Sequence, residues 1–338
     1  MRITSNRFAR QTLLALAISA IGALTAIGTM SAANAAAPVP TPAAVKTQVP
    51  GFFRMALGDF EVTALYDGYI MLDSSLFKNA SPAEMQRLLA RYFVNKKEAQ
   101  TAVNAYLINT GTNLVLVDTG SAKCFGPTLG ALADNLKAAG YDAAQVDTIV
   151  ITHLHPDHAC GLIAADGKLA FPNATLRTAQ AESDFWMSES IAAKAPKESQ
   201  GFFKMARESV QPYITAGKFK PFNGNETIVP GISAVATPGH TPGHTSYMVS
   251  SKDQNMLILG DLIHSYAMQF PRPNIAISFD TDSAKAIPMR KKIFAEAAQK
   301  QTLVAGAHLP FPGIGQLHAE KAGYDWVPVQ YAPFGIGR

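Results

Sequence analysis

Two cysteines in 338 residues, Cys124 and Cys160, are too few for a small scaffold built on disulfides. A dominant charge of one sign is also missing. Of 29 lysines and arginines, three (Arg2, Arg7 and Arg10) fall in the first 37 residues, which hold no acid, and the remaining 26 face 25 aspartates and glutamates. That balance leaves no basic face for a nucleic acid. Long apolar runs are scarce too: the one candidate is Leu13 to Met30, behind the basic leader. What remains is 48% hydrophobic and 16% charged, enough to bury a sizeable core as one large domain or two small ones.

The leader reads as a secretory signal peptide over residues 1–35. Ala33-Asn34-Ala35 supplies the small residues a signal peptidase reads, and cleavage is expected after Ala35. Gly22, Thr25, Gly28 and Thr29 weaken the competing reading as a membrane anchor. No cysteine stands at the cleavage site for lipidation, and no adjacent arginine pair suggests the twin-arginine route. An Ala/Pro-rich leader of the mature chain follows over 36–50, then a single domain over 51–338, and the expected location is periplasmic or secreted.

Short apolar runs predict strands at Phe60 to Leu65, Ala102 to Ile108, Leu114 to Val117, Thr148 to Thr152, Ser233 to Ala236, Ser246 to Val249, Met256 to Leu259 and Leu303 to Ala305. Ser81-Pro82-Ala83-Glu84 starts a helix through Tyr92, and further helices are expected over 127–139, 181–187, 198–213 and 283–300. Two segments, Thr112 to Asp118 and Gln254 to Asp261, each run an apolar strand into an aspartate. They are compatible with two related halves, and equally with any buried strand that ends in a polar turn. Strand-rich runs followed by helices suggest two mixed sheets face to face with helices outside.

The chemistry concentrates in Thr152-His153-Leu154-His155-Pro156-Asp157-His158, where three of the chain's eight histidines follow a strand directly. His153 and His155 alternate onto one face, and the break at Pro156 turns Asp157 and His158 toward another point. Two neighbouring metal ions are the natural reading, against the plainer one of a polar surface loop. His240, Asp261 and His308 each follow an apolar strand and complete two sets of ligands.

These residues resemble the metallo-β-lactamase superfamily, whose His-x-His-x-Asp-His motif matches 153–158, and the likeness runs from about Gly58 to His308. It implies an α/β, four-layer αββα sandwich. It also implies two divalent ions, zinc before manganese, iron or cobalt: one held by His153, His155 and His240, the other by Asp157, His158 and His308, with Asp261 and a hydroxide bridging. Asp118 resembles the aspartate that orients a ligand imidazole in that family. True β-lactamases lack the counterpart of Asp261, nuclease relatives carry extra domains and a basic surface, and glyoxalase II relatives carry a C-terminal helical domain. The mature chain instead resembles the methyl parathion hydrolase and lactonase branch, down to Phe125 to Gly130, Gly217 to Phe222 and His308 to Gly315.

The resemblance therefore implies an exported hydrolase that opens lactones or aryl esters by attack of the metal-bridging hydroxide. Its partners would be a small-molecule lactone or ester and a second copy in a homodimer. Organophosphate triesters are a secondary or rival substrate, and a non-catalytic metal-binding protein is the reading from another class. Phe125, Trp186, Phe203 and Phe279 are expected around the substrate, with Phe202 and Phe203 not both able to face one cavity. His264 stands where related lactonases carry a tyrosine, and is expected to bind the substrate and donate a proton or hydrogen bond. His264 and Phe279 replace leucines of the methyl parathion hydrolase pattern. His244 is read as structural or as standing behind the ligands, and His318 as surface. Cys124 and Cys160 form either a disulfide across neighbouring loops or two buried thiols.

Overall fold

Alternation along the strands builds the layers. The computed structural model describes residues 43–95 and 97–332. The signal-peptide reading of 1–35 and residues 36–42 of the Ala/Pro leader lie outside the described residues. In chain order the first part comprises β1 (Phe52–Leu57), β2 (Phe60–Asp73), β3 (Phe77–Lys78), α1 (Pro82–Arg91), β4 (Glu98–Asn109), β5 (Leu114–Val117) and α2 (Leu132–Ala138). Then come β6 (Thr148–Val150), α3 (Pro156–Ala159), β7 (Thr175–Arg177), α4 (Gln180–Trp186), α5 (Glu189–Lys194) and α6 (Lys197–Thr215). The second part comprises β8 (Thr227–Val229), β9 (Ile232–Ala236), β10 (Thr245–Ser251), β11 (Gln254–Ile258), α7 (Tyr266–Gln269) and β12 (Ala276–Ile277). It ends with α8 (Ser283–Lys300), β13 (Leu303–Ala305), β14 (Ile314–Glu320) and β15 (Gly323–Pro328).

One sheet has the order β1-β2-β4-β5-β6-β7 and the other β15-β14-β13-β11-β10-β9-β8, with β12 and β3 forming a small ribbon. Val115 and Val117 of the first sheet meet Val249, Met256 and Ile258 of the second in one core. Their neighbours Leu114 and Leu116 turn the other way, onto α2 and α6 through Leu132, Leu136 and Val210. Leu257 and Val304 likewise turn outward onto Ile293 and Phe294 of α8. Strand period two therefore gives each sheet one face for its partner and one for helices, which is the αββα sandwich expected.

The two look-alike segments occupy corresponding places. β5 is antiparallel to β4 and parallel to β6, while β11 is antiparallel to β10 and parallel to β13. Asp118 and Asp261 thus leave equivalent strands at the same end of the sandwich.

Three expectations need correction. The helix expected over 127–139 starts only at Leu132: Gly130 adopts φ +97°, and a Cβ there would lie 2.5 Å from the Ala122 carbonyl oxygen, so the preceding residues form a turn against β2. β2 extends to Asp73, well beyond Leu65, because β4 pairs with it along its whole length across a bulge near Asp67. The β14–β15 hairpin escaped the sequence reading, since β15 is mostly half-exposed and carries little apolar signal. By contrast α1 begins as its sequence dictates, with the Ser81 hydroxyl accepting from the Glu84 N–H and Pro82 in the first turn.

Candidate metal centre

Strand ends deliver the ligand candidates to one point. β6 stops at Val150, and Thr152 is then caught by Asp118, which accepts from the Thr152 N–H at 2.8 Å and its hydroxyl at 2.9 Å. His155 caps the short α3, whose first residue is Pro156, so the chain turns there and Asp157 and His158 leave on the helix. His240 comes from the loop between β9 and β10, Asp261 from the turn after β11, and His308 from the turn after β13.

Asp261, His264 and His308 form one close set of donor atoms, and two others divide the ligand candidates, with His153, His155, His240 and Asp261 in one and Asp157, His158 and His308 in the other. Asp261 faces both. Its Oδ2 lies 3.5 Å from His153 Nε2 and 3.3 Å from His240 Nε2, while its Oδ1 lies 3.2 Å from both His158 Nε2 and His308 Nε2. All are buried except His155, which is partly exposed.

This donor set suits divalent cations. His153 Nε2 and His155 Nδ1 approach to 2.9 Å, and His155 Nδ1 and His240 Nε2 to 3.1 Å. Lone pairs aimed at a common point are what a cation satisfies. His158 Nε2 and Asp261 Oδ1 are fully buried and, though 3.2 Å apart, make no hydrogen bond in this arrangement, so coordination would satisfy both.

The far nitrogens of the imidazoles are fixed as metal-binding histidines require. His158 Nδ1 lies 2.8 Å from Asp118 Oδ2, His240 Nδ1 3.0 Å from Asp280 Oδ1, His308 Nδ1 2.9 Å from the Ala102 carbonyl and His153 Nδ1 3.1 Å from the Thr152 hydroxyl. Asp280 was not foreseen, because no motif marks it. It is held by Arg290, a fully buried guanidinium 3.8 Å away that also donates to the carbonyls of Leu262, Pro273 and Ile275.

Electrostatics divide the histidines. Burial, with neighbouring imidazoles adding to it, pushes His153 and His155 well below the usual range, so both are neutral and ready to ligate. Burial works the same way on His158 and His240, but the carboxylates around them outweigh it. His158 is raised well above the usual value by Asp261, Asp157 and Asp118, and His240 is pushed up to about 9 by Asp261 and Asp280.

Over the cluster lies a narrow crevice of about 30 Å3, lined by Ile70, Phe125, Phe202, Phe279 and His264 beside the ligand candidates. Phe125 and Phe279 face it. Phe203 does not: it is buried in the helix-side core against Trp186, ring centroids 4.5 Å apart, and Phe202 is the member of the pair that faces the crevice, 6.2 Å from Phe125 and 5.7 Å from His155. Adjacent helical residues diverge by about 100°, so one of the two had to turn into the core. Trp186 also stands behind the site rather than in the crevice, edge-on to His155 at 5.2 Å. His264 Nε2 lies 3.0 Å from Asp261 Oδ2, and its ring stacks on His308 at 5.1 Å.

His244 is buried, neutral and pushed down to about 3 by burial, and its Nε2 accepts from the Asp261 N–H at 2.9 Å. His318 lies on β14, exposed and away from the cluster. Cys124 and Cys160 form a disulfide, closing 36 residues of separation between the turn that carries Phe125 and the turn after α3. Of the two readings left open for the cysteines, the bridge is the one found.

The family model of the metallo-beta-lactamase superfamily matches residues 99–308. An N-acyl homoserine lactonase of a Bacillus species is 27% identical over 212 residues, 57% of this chain and 71% of that protein. Other Bacillus N-acyl homoserine lactonases are matched over 60% of their length. Among solved structures, the hydrolase AbOPH of the beta lactamase superfamily superposes with a TM-score of 0.81 at 40% identity, covering 85% of this chain and 100% of that one. AidC, a dizinc quorum-quenching lactonase in complex with a product N-hexanoyl-L-homoserine, gives 0.78 at 31% identity, over 84% of this chain and 99% of its own. With the family's fold, its motif at 153–158 and a match across residues 99–308, the chain belongs to the metallo-beta-lactamase superfamily.

Proposed function

We propose that this protein is a dinuclear metal hydrolase that opens lactones or aryl esters. The observation that carries the reading is Asp261, whose carboxylate lies between two histidine-rich groups, within 3.5 Å of His153 and His240 on one side and of His158 and His308 on the other, and so would bridge two ions. Two divalent cations, zinc by the donor chemistry and by likeness to AidC, would supply a hydroxide nucleophile near neutral pH and polarise the scissile carbonyl. The chain's own residues do the rest. Asp118, Asp280 and the Ala102 carbonyl fix the ligand imidazoles, the aromatic rim of Phe125, Phe202 and Phe279 excludes water and packs the substrate ring, and His264 offers a hydrogen bond to the leaving oxygen.

The rings of Phe125, Phe202 and Phe279 around the crevice favour a flat carbonyl substrate that can stack on them over a tetrahedral phosphotriester. Lactone hydrolysis is therefore expected to exceed hydrolysis of methyl parathion, and the double substitution His264→Leu with Phe279→Leu to shift kcat/KM toward the phosphotriester. Elemental analysis of protein purified without chelator should give about two ions per chain. One ion at full activity, or a wild-type preference for the phosphotriester, would overturn the assignment.

The reading includes export and a homodimer. The Cys124–Cys160 bridge supports an oxidising compartment, and among the described residues no helix is long and apolar enough to cross a membrane. N-terminal sequencing of the mature species should start at Ala36, and light scattering should give twice the chain mass. An intact Met1 form recovered with washed membranes would favour an anchor instead.

A further inference from the structure

Glu182 lies in the first turn of α4, has no solvent exposure, and is not among the ligand candidates. Its carboxylate nonetheless gathers four donors. Oε1 accepts from the Leu154 N–H at 2.9 Å and the Trp186 indole N–H at 2.6 Å; Oε2 accepts from the Thr241 hydroxyl at 2.6 Å and the Gly243 N–H at 3.0 Å. Leu154 stands between His153 and His155, Thr241 directly follows His240, and Gly243 lies three residues after it. Trp186 in turn meets the edge of the His155 ring. The approach is close enough that a Cβ on Gly243 would lie 2.1 Å from the Glu182 backbone nitrogen, so the 240–244 loop can sit here only with glycine at that position.

We propose that Glu182 is a positioning residue that sets one of the two metal groups and not the other. Every imidazole of the first group, His153, His155 and His240, sits on a segment tied to this carboxylate. The second group is held elsewhere, His158 by Asp118 and His308 by the Ala102 carbonyl. One oxygen for the 153–155 loop and one for the 240–244 loop fixes the separation of two chain segments that belong to different sheets. The inference rests on the metal-centre reading above.

The charge and the acceptor pattern both matter. A glutamine of the same shape would turn an NH2 toward one pair of donors. The Thr241 hydroxyl can rotate to accept from it, but the Gly243 N–H cannot, so one buried backbone donor would be left facing another donor. Glutamate is needed for the acceptors it offers, beyond the space it fills.

The test uses full-length protein, stripped of metal and titrated with Zn2+ and with Co2+. Trp186 is one of only two tryptophans, so in a Trp326→Phe background its fluorescence reports filling of the group that contains His155, and Co2+ absorption reports both groups. In Glu182→Gln the affinity of the Trp186-reporting group is expected to fall about tenfold or more, the other group staying within about twofold. Thr241→Val, which removes a single donor, is the milder variant should Glu182→Gln fold poorly, and it should weaken the same group alone. Equal weakening of both groups, or of neither, overturns the proposal. Its failure is distinct from failure of the metal-centre reading, because the latter shows in the wild type as a stoichiometry far from two, whereas this proposal is read from the ratio between variant and wild type.

Discussion

Replacing Asp118 by asparagine tests how far the ligands depend on what stands behind them. Asp118 is 3% exposed and accepts three hydrogen bonds: two from Thr152, at 2.8 and 2.9 Å, and one involving His158 Nδ1 at 2.8 Å. In Asp118→Asn the amide oxygen can keep the bond from the Thr152 backbone, while the NH2 replaces Oδ2 and meets both the Thr152 hydroxyl and His158 Nδ1. The hydroxyl can turn to accept. The imidazole can accept only by moving its proton to Nε2, the atom that faces Asp261 and the second metal group. The protein then either leaves a buried donor facing a donor or gives up Nε2 as a ligand. Loss of one bond between charged partners costs about 1.5–3 kcal/mol, and at about 1.4 kcal/mol per factor of ten the affinity of the group of Asp157, His158 and His308 should fall roughly 10- to 100-fold. Competition with a chromogenic chelator on metal-stripped protein measures it, with circular dichroism as the check on folding. A stoichiometry and affinity within twofold of wild type would refute the argument that this carboxylate sets the tautomer of His158.

Three further outcomes are expected. Phe203→Ala, deep among Trp186 and Phe185, should cost about 3–5 kcal/mol of stability in chemical denaturation, whereas Phe202→Ala should leave stability nearly unchanged and raise KM for the lactone; the reverse pattern would mean the two rings have been assigned to the wrong sides. Metal binding at pH 7 should release about two to three protons, because in the metal-free protein the carboxylates hold His158 well above its usual pKa, His240 up to about 9 and His308 above its usual value, and all three must be deprotonated to ligate. Affinity should then rise with pH from 6 toward 9; calorimetry in buffers of different ionisation enthalpy counts the protons released, and a binding enthalpy independent of buffer, with an affinity independent of pH, would refute the reasoning. Arg290→Met should take one buried donor from Asp280 and from each of the Leu262, Pro273 and Ile275 carbonyls, lowering the melting temperature and weakening the group that contains His240; a change in stability with no change in metal binding would separate Arg290 from the site.

The ligand candidates were legible in the sequence because each is announced locally. His153 to His158 crowd one strand end, His240, Asp261 and His308 each follow an apolar strand, and the repeated strand-to-aspartate pattern foreshadowed the matching places of β5 and β11. Period-two alternation likewise fixes which strand residues face the other sheet. What stood behind the ligands was not legible. Asp280 and Arg290 lie far from the motif in sequence and reach His240 only once α8 packs on its sheet, and Glu182 finds three of its four donors only when loops from two sheets close on the start of α4. The choice between Phe202 and Phe203, and between a disulfide and two thiols, also waited on tertiary structure. Local sequence sets which groups leave a strand end and in what order. Which buried donors and acceptors they meet depends on long-range packing, where the need to satisfy every buried polar group selects partners that no spacing rule encodes.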